Sequence, residues 1–431
     1  MIFGALHLRP SLACRRLVEL RFNKTMRVDL LPARIRSRAG ARMQIVDQIG
    51  RETTSFPNSL PALTSVRFVL ALGVVLFHYQ LQWPWNAMAS TGIFNRAGLG
   101  VDAFFILSGF VLTHAYRQAL EDGQLNYRRF LAARFARVYP AHIAVLGFVL
   151  VMVGAGTLVG AEFDRRLYNP LGLLTTVLLV HAWLPETVVA AWNGPSWSLS
   201  AEWFAYLAFP AFAWIGLVLA RRPWILLALS ALVFVALDLA YQAVFGDLVV
   251  HAQLNMGVLR IIPEFLYGIG LYRLGQRVHL PRPHAIGAAW LSAIILLLLM
   301  HFKADERVVV AAAGPLVLSL ALLSKSGADR AVALPSMLAA GEASYALYLV
   351  HMPILIGWKG VNSALTQRSS AYVLAWWEVA CLLMLTLVAA FAVHFFVERP
   401  ARTWIRRCAD RLWPASGTKV VVVRSSSASE N

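Results

Sequence analysis

Two ionisable side chains stand in a run of residues that has little reason to hold any. Leu60 to Gln80 is about one bilayer crossing of apolar sequence, yet it contains Arg67 and His78. Each such group inside hydrocarbon costs at least ~2 to 3 kcal/mol on insertion scales. Eleven residues at about 100° each bring His78 within roughly 20° of Arg67, on one helical face and about 16 Å further along the axis. A histidine there can exchange a proton near neutral pH, and an arginine can hold an anion or a developing negative charge. The bland alternative is that each side chain reaches for its own membrane surface. Ala71 and Val74, the other residues of the stripe, are small and leave room for a neighbouring helix or an aqueous slot.

Four further polar clusters accompany this helix. In GVDAFFILSGFVLTHAYR, Asp102 and Ser108 interrupt a second apolar run. Gly100, Ser108 and Gly109 suit close helix packing, while Asp102 is a candidate polar partner for a substrate. In RFLAARFARVYP, Arg134 and Arg137 stand three apart on one face. Such a pair marks topology or meets lipid headgroups, or else makes a bidentate phosphate site; spacing leaves both open. In WNGPSWSLSAEWFAYLAFP, Ser198 and Glu202 share a face beside Asn193 and Trp197. Ser198 can cap a helix, but an acid just inside an apolar run needs a partner or a wet cavity, which favours a functional Glu202. In GEASYALYLVHMPI, Ser344, Tyr348 and His351 recur at helical spacing with Tyr345 between them. They form a polar face inside a span, or simply satisfied packing residues.

The elements that must position these groups follow from composition. Of 431 residues, 59% are hydrophobic and only 14% charged, which is far too apolar for a soluble protein. The formal charge of +17 falls in short clusters between apolar runs, the pattern of cytoplasmic loops rather than of a nucleic-acid partner. Cys14, Cys381 and Cys408 show neither a disulfide framework nor zinc-like spacing. The expected fold class is all-α: a polytopic transmembrane bundle of about ten spans with both termini cytoplasmic. Arg128, Arg129, Arg134 and Arg137 read as a cytoplasmic loop after the second span, so the first helix runs outward. The spans then fall at about 60–80, 99–116, 138–159, 198–219, 224–241, 256–274, 284–301, 308–323, 341–358 and 372–397. Leu171 to Leu184 is apolar but short for a crossing, so residues 171–196 read as re-entrant or interfacial. Residues 1–57 hold ten basic residues before Met43 against Glu19 and Asp29 and read as a disordered tail, or as sequence upstream of a start at Met26 or Met43. Residues 58–408 form the membrane domain and 409–431 a polar tail.

Taken in order, the clusters resemble the acyltransferase-3 family of bacterial integral membrane proteins. The matching features are the Arg67 to His78 spacing, GVDAFFILSGF, Arg134 and Arg137 before Tyr139 and Pro140, WSLSAE, RIIPEFLYGIG around Arg260, SYALYLVH, and VERPAR. Together they span residues 60–402. The resemblance implies acyl transfer, most simply acetyl, from cytoplasmic acyl-CoA to a hydroxyl of an extracytoplasmic carbohydrate or glycoconjugate, across the bacterial inner membrane. It makes His78 the leading catalytic residue with Arg67, assigns the acyl-CoA donor to Arg134 and Arg137, and maps the family's glutamate onto Glu202. Many relatives carry a second acid after it, where this chain has Trp203. The hydrolase-like extension of some members is not expected here. No resident cofactor is implied; acyl-CoA is a substrate.

On this reading His78 removes the hydroxyl proton as general base, Glu202 orients the imidazole, and Arg67 steadies the donor or the oxyanion. An acyl-histidine relay is the rival route. The reading from another class is a transporter or flippase for a glycan or lipid, with the same residues as a coupling path. No paired inverted repeats are visible in the hydropathy to support it.

Overall fold

The computed structural model describes residues 56–83, 91–158, 160, 163–164, 166–185, 191–367, 369 and 372–413. The basic N-terminal segment, with its two candidate starts, and Pro414–Asn431 lie outside the described residues. Among those described, the regular structure is helical throughout: α1 (Pro61–Gln80), α2 (Gly100–Glu121), α3 (Tyr127–Leu158), α4 (Pro170–Val177), α5 (Trp197–Leu207), α6 (Phe209–Val218), α7 (Pro223–Phe245), α8 (Val258–Arg277), α9 (Arg282–His301), α10 (Glu306–Lys325), α11 (Pro335–Thr366), α12 (Trp376–Val393) and α13 (Arg399–Leu412). Eight helical stretches, one of them α12 and α13 together, are long and apolar enough to cross a membrane, and α5 with α6 makes a ninth. The chain is an integral membrane protein.

The remaining expected span, at 256–274, is α8. It has twenty residues, or about 30 Å, but carries Arg260, Glu264, Arg273 and Arg277. It tolerates them because it packs among α2, α5 and α7 rather than facing lipid, with Arg260, Glu264 and Arg273 all buried. The eight-residue α4 is about 12 Å long and cannot cross, as the short apolar run implies.

Three boundaries differ from the sequence reading. Arg128, Arg129, Arg134 and Arg137 are not in a loop: α3 begins at Tyr127 and carries them on its first turns. The span expected over 198–219 is broken by 60° between α5 and α6, where Pro210, in the first turn of α6, cannot extend α5's hydrogen-bond ladder. The final helix passes through a π turn at His394–Glu398 and runs to Leu412, past the boundary expected at 408.

Bare backbones set the closest packing. A Cβ on Gly268 of α8 would fall 2.1 Å from the carbonyl oxygen of Ile106, and one on Gly109 of α2 would fall 2.1 Å from that of Phe265. The two helices therefore touch through glycine, as small residues permit in lipid. Gly268→Leu should destabilise the protein by about 1 to 3 kcal/mol through overpacking. The check is thermal unfolding in detergent, and an unchanged midpoint would mean that the two helices part without cost.

At one end of the bundle the connection from α7 to α8 is tied to the start of α10. His251 contacts Asp247 Oδ1 and Glu306 Oε2, each at 2.6 Å. Arg307 donates to Asp305 Oδ2 at 2.6 Å and Asp238 Oδ2 at 3.0 Å. Partial burial alone would lower the His251 pKa, but the hydrogen bonds to Asp247 and Glu306 outweigh it and raise it above the ordinary histidine value. A raised value means stability that is complete below the unfolded pKa and lost as pH climbs through the folded one. Relative to His251→Gln, the native protein should lose stability as pH rises above about 6.5; parallel stability curves would contradict this.

Candidate active site

Five helices, α1, α2, α3, α5 and α11, enclose a cavity of about 130 Å³. Helical spacing brings Ser108, Ser198, Glu202, Ser344 and Tyr345 to its wall together with Arg67, Arg134 and Arg137. Glu202 is held from two sides. Ser108 Oγ donates to its Oε1 at 2.7 Å, and Tyr206, one helical turn further along α5, is its second partner. Ser108 is therefore not only a small packing residue. Ser198 Oγ donates to the Tyr348 hydroxyl at 2.9 Å, which donates to Pro195 O at 2.8 Å. Ser344 is satisfied within its own helix by Gly341 O at 2.8 Å.

The three arginines differ in what holds them. Arg137 is ion-paired with the buried Glu398 and lies 5.2 Å from the ring centroid of Tyr345, whose hydroxyl donates to Val138 O at 2.6 Å. Arg134 has no ion pair among the described residues. Its guanidinium is ringed by Tyr116 at 5.8 Å, Phe130 at 6.0 Å and Tyr206 at 5.8 Å, and its Nε has no hydrogen-bond partner among the described residues. Arg67 has no hydrogen bond among the described residues; Arg137, Glu202, Tyr206 and Glu398 are its electrostatic neighbours. The cavity wall carries three guanidiniums and one carboxylate, Glu202, with Glu398 behind it shared between Arg137 and Arg402. The rings hold the Arg134 guanidinium through their faces, and two guanidinium forks without a hydrogen-bonded acid have the geometry to meet an anion's oxygens.

His78 does not line this cavity. It is half-buried, with Nδ1 at 2.9 Å from Val74 O and 3.3 Å from Nε2 of the fully buried His351. His351 Nδ1 in turn lies 2.6 Å from the carbonyl oxygen of Tyr348, whose side chain reaches the cavity wall. His351 thus sits one turn beyond the Tyr348 of the cavity wall, and His78 about three turns along α1 from Arg67. Glu202, expected to orient His78, instead accepts from Ser108 and has Tyr206 as an electrostatic neighbour; the imidazole's side-chain partner is His351.

Asp102 and Trp197 also take other places. Asp102 is fully buried and accepts two bonds from Arg260, at 3.1 Å from Nε and 2.6 Å from Nη2. Arg260 lies 4.8 Å from the Trp197 ring centroid, and Trp197 packs edge-on against Phe105 of the cavity wall. Asp102 is thereby committed to Arg260 and is not a free partner for substrate, while Trp197 backs the wall. Sequence reasoning missed Tyr206 and Glu398. Tyr206 was signalled by its i+4 spacing from Glu202, and Glu398 by an acid at the junction of an apolar run and an arginine cluster.

Membrane-length helices around an arginine-lined cavity define an integral membrane protein with a polar, basic site between its helices. The chain belongs to the acyltransferase-3 family, whose acyltransferase domain profile matches residues 60–395, and it is an O-acyltransferase. It is 30% identical over 380 residues to "Acyltransferase MdmB" of Streptomyces mycarofaciens, covering 81% of this chain and 93% of the relative. It is 23% identical to "Putative peptidoglycan O-acetyltransferase YrhL" of Bacillus subtilis (strain 168), over 80% of this chain but 55% of that longer relative. It is 30% identical to "Exopolysaccharide production protein ExoZ" of Rhizobium meliloti (strain 1021), over 62% of this chain and 80% of the relative. No solved structure matches significantly.

Removing one member of the Asp102–Arg260 pair strands a buried charge. Arg260→Met should cost about 3 to 5 kcal/mol, and adding Asp102→Leu should recover much of it. Thermal unfolding of the single and double variants measures this, and additive losses would show that the two residues act independently.

Proposed function

We propose that the protein transfers an acyl group, most simply acetyl, from acyl-CoA delivered at the cytoplasmic face to a hydroxyl of an extracytoplasmic carbohydrate or glycoconjugate, in the bacterial inner membrane. The observation that carries this reading is the cavity in which Arg67 and Arg134 present guanidiniums without hydrogen-bonded acids. Acyl-CoA brings phosphates, and phosphate is the anion that arginine forks match. In this assignment Arg134 and Arg137 hold the donor and Arg67 steadies the negative charge that develops on the thioester oxygen. Glu202, with Ser108 and Tyr206, shapes the polar wall. His78 takes the proton of the acceptor hydroxyl, with acyl transfer through the imidazole as the alternative route. The acceptor class is supported by one relative named for peptidoglycan and another for exopolysaccharide.

The test uses purified full-length protein in liposomes, labelled acetyl-CoA and a panel of peptidoglycan and exopolysaccharide fragments, followed by mass spectrometry of the carbohydrate. Label on carbohydrate supports the assignment; its absence with every acceptor and donor tried, in folded protein, counts against it. His78→Ala should lower turnover about 10² to 10⁴-fold and leave membrane insertion intact. Arg134→Ala breaks no ion pair, unlike Arg137→Ala, so it is the cleaner probe of the donor. It should raise KM for acyl-CoA more than KM for the acceptor, and equal rises would assign Arg134 a structural role.

A further inference from the structure

We propose that His351 is the positioning residue for His78: it fixes which imidazole nitrogen carries the hydrogen and accepts the resulting bond, leaving Nε2 of His78 as the basic atom. The inference rests on the base role given to His78 above and adds to it the group that makes that role possible.

The assignment follows from what each contact can donate. His351 Nδ1 is 2.6 Å from the carbonyl oxygen of Tyr348. A carbonyl only accepts, so Nδ1 carries the hydrogen and, in a neutral ring, Nε2 holds the lone pair. That Nε2 is 3.3 Å from His78 Nδ1. His78 Nδ1 is also 2.9 Å from Val74 O, another obligate acceptor. Both neighbours of His78 Nδ1 therefore accept, so this nitrogen carries hydrogen shared between them. The lone pair of His78 is left on Nε2, which has no hydrogen-bond partner among the described residues and is not sealed off as a buried orphan.

The surroundings hold His351 still. It is fully buried, its own carbonyl accepts from the Tyr79 hydroxyl at 3.1 Å, and that hydroxyl shares a 2.7 Å bond with Thr386. Its ring lies 5.8 Å from that of Tyr348 and 6.4 Å from that of Tyr79. The carbonyl of Val74 alone is a weaker guide, because the helix already uses it for the amide of His78. A second acceptor at Nδ1, from a ring tilted 48° to that of His78, restricts rotation of the imidazole and selects the tautomer, the task a carboxylate performs in hydrolase triads.

The step balances. As the acceptor oxygen forms its bond to the thioester carbon, its O–H bond breaks and the proton moves to His78 Nε2. The imidazolium so formed donates more strongly through Nδ1 to His351 Nε2. When the C–S bond breaks, the leaving thiolate takes the proton from Nε2, giving the free thiol and restoring neutral His78.

The test combines a spectrum with kinetics. Full-length protein labelled with ¹⁵N-histidine in lipid nanodiscs should show one ring, identified by its loss in His78→Gln, that is neutral with hydrogen on Nδ1. His351→Leu should move that resonance toward hydrogen on Nε2 and lower kcat for labelled acyl transfer on the order of 10²-fold, with both KM values little changed. His351→Gln, whose amide oxygen can accept from Nδ1, should restore the resonance and most of kcat. A native His78 ring with hydrogen on Nε2 overturns the proposal, and that spectrum decides even if His351→Leu does not fold. Native kcat in folded His351→Leu, with His78→Ala inactive, also overturns it and leaves the base assignment standing. Full activity in His78→Ala removes the base assignment itself.

Discussion

Charge inside a helix bundle is stable only where something answers it. Removing an ion from water costs several kcal/mol even after relaxation, and this chain places arginines on helices that hydropathy alone would keep apolar. Most of the architecture can be traced to how those guanidiniums are met. Arg260 closes on Asp102 beneath Trp197, Arg273 reaches Glu121 at 2.9 Å, and Arg137 closes on Glu398. These pairs join α8 to α2 and α3 to the final helix, so the bundle is cross-linked by charge as well as by glycine contacts. Arg67 and Arg134 are treated differently: rings and a shared cavity replace a dedicated acid. That contrast separates cations answered by an acid within the bundle from cations met only by rings and the cavity.

The proposed chemistry is laid out at two depths. The arginines and Glu202 surround the cavity, while His351 stands a turn past Tyr348 on α11 and His78, its contact, about three turns past Arg67 on α1. A donor with a charged head and a thin arm suits such a division, because the head can be gripped in one place and the reactive carbon presented in another. The shared alignment of Arg67 and His78 on one helical face supplies the axis along which that happens.

That axis was readable because helical period applies directly to an apolar run with two intruders. So was the shortness of the apolar run that begins at Leu171, where the helix α4 has only eight residues. The start of α3 was not readable: a basic loop and a basic first turn have the same composition, and only the backbone distinguishes them. Partner choice was hidden for a different reason. Ser108 meets Glu202 across 94 residues, Arg260 meets Asp102 across 158, and His351 meets His78 across 273. The types that need partners can be recognised one by one, but which acid answers which base depends on helix neighbours, and a bundle permits many arrangements. Glu202 shows the consequence: its need for company was evident, yet its company is Ser108 and Tyr206.

The π turn from His394 to Glu398 has a bearing on the whole terminal rod. Such a turn holds one residue more than an α turn, so all that follows is rotated by about 100° from where an unbroken helix would put it. Upstream lies an apolar membrane helix; downstream Arg399, Arg406, Arg407 and Arg411 face outward while Glu398 stays inside with His394 and Arg137. The counter-ion of the cavity arginine is thus held by a counting rule of the backbone. Loss of a single residue here would rewind the rod and turn that acid off its guanidinium, though no side chain in the cavity had changed.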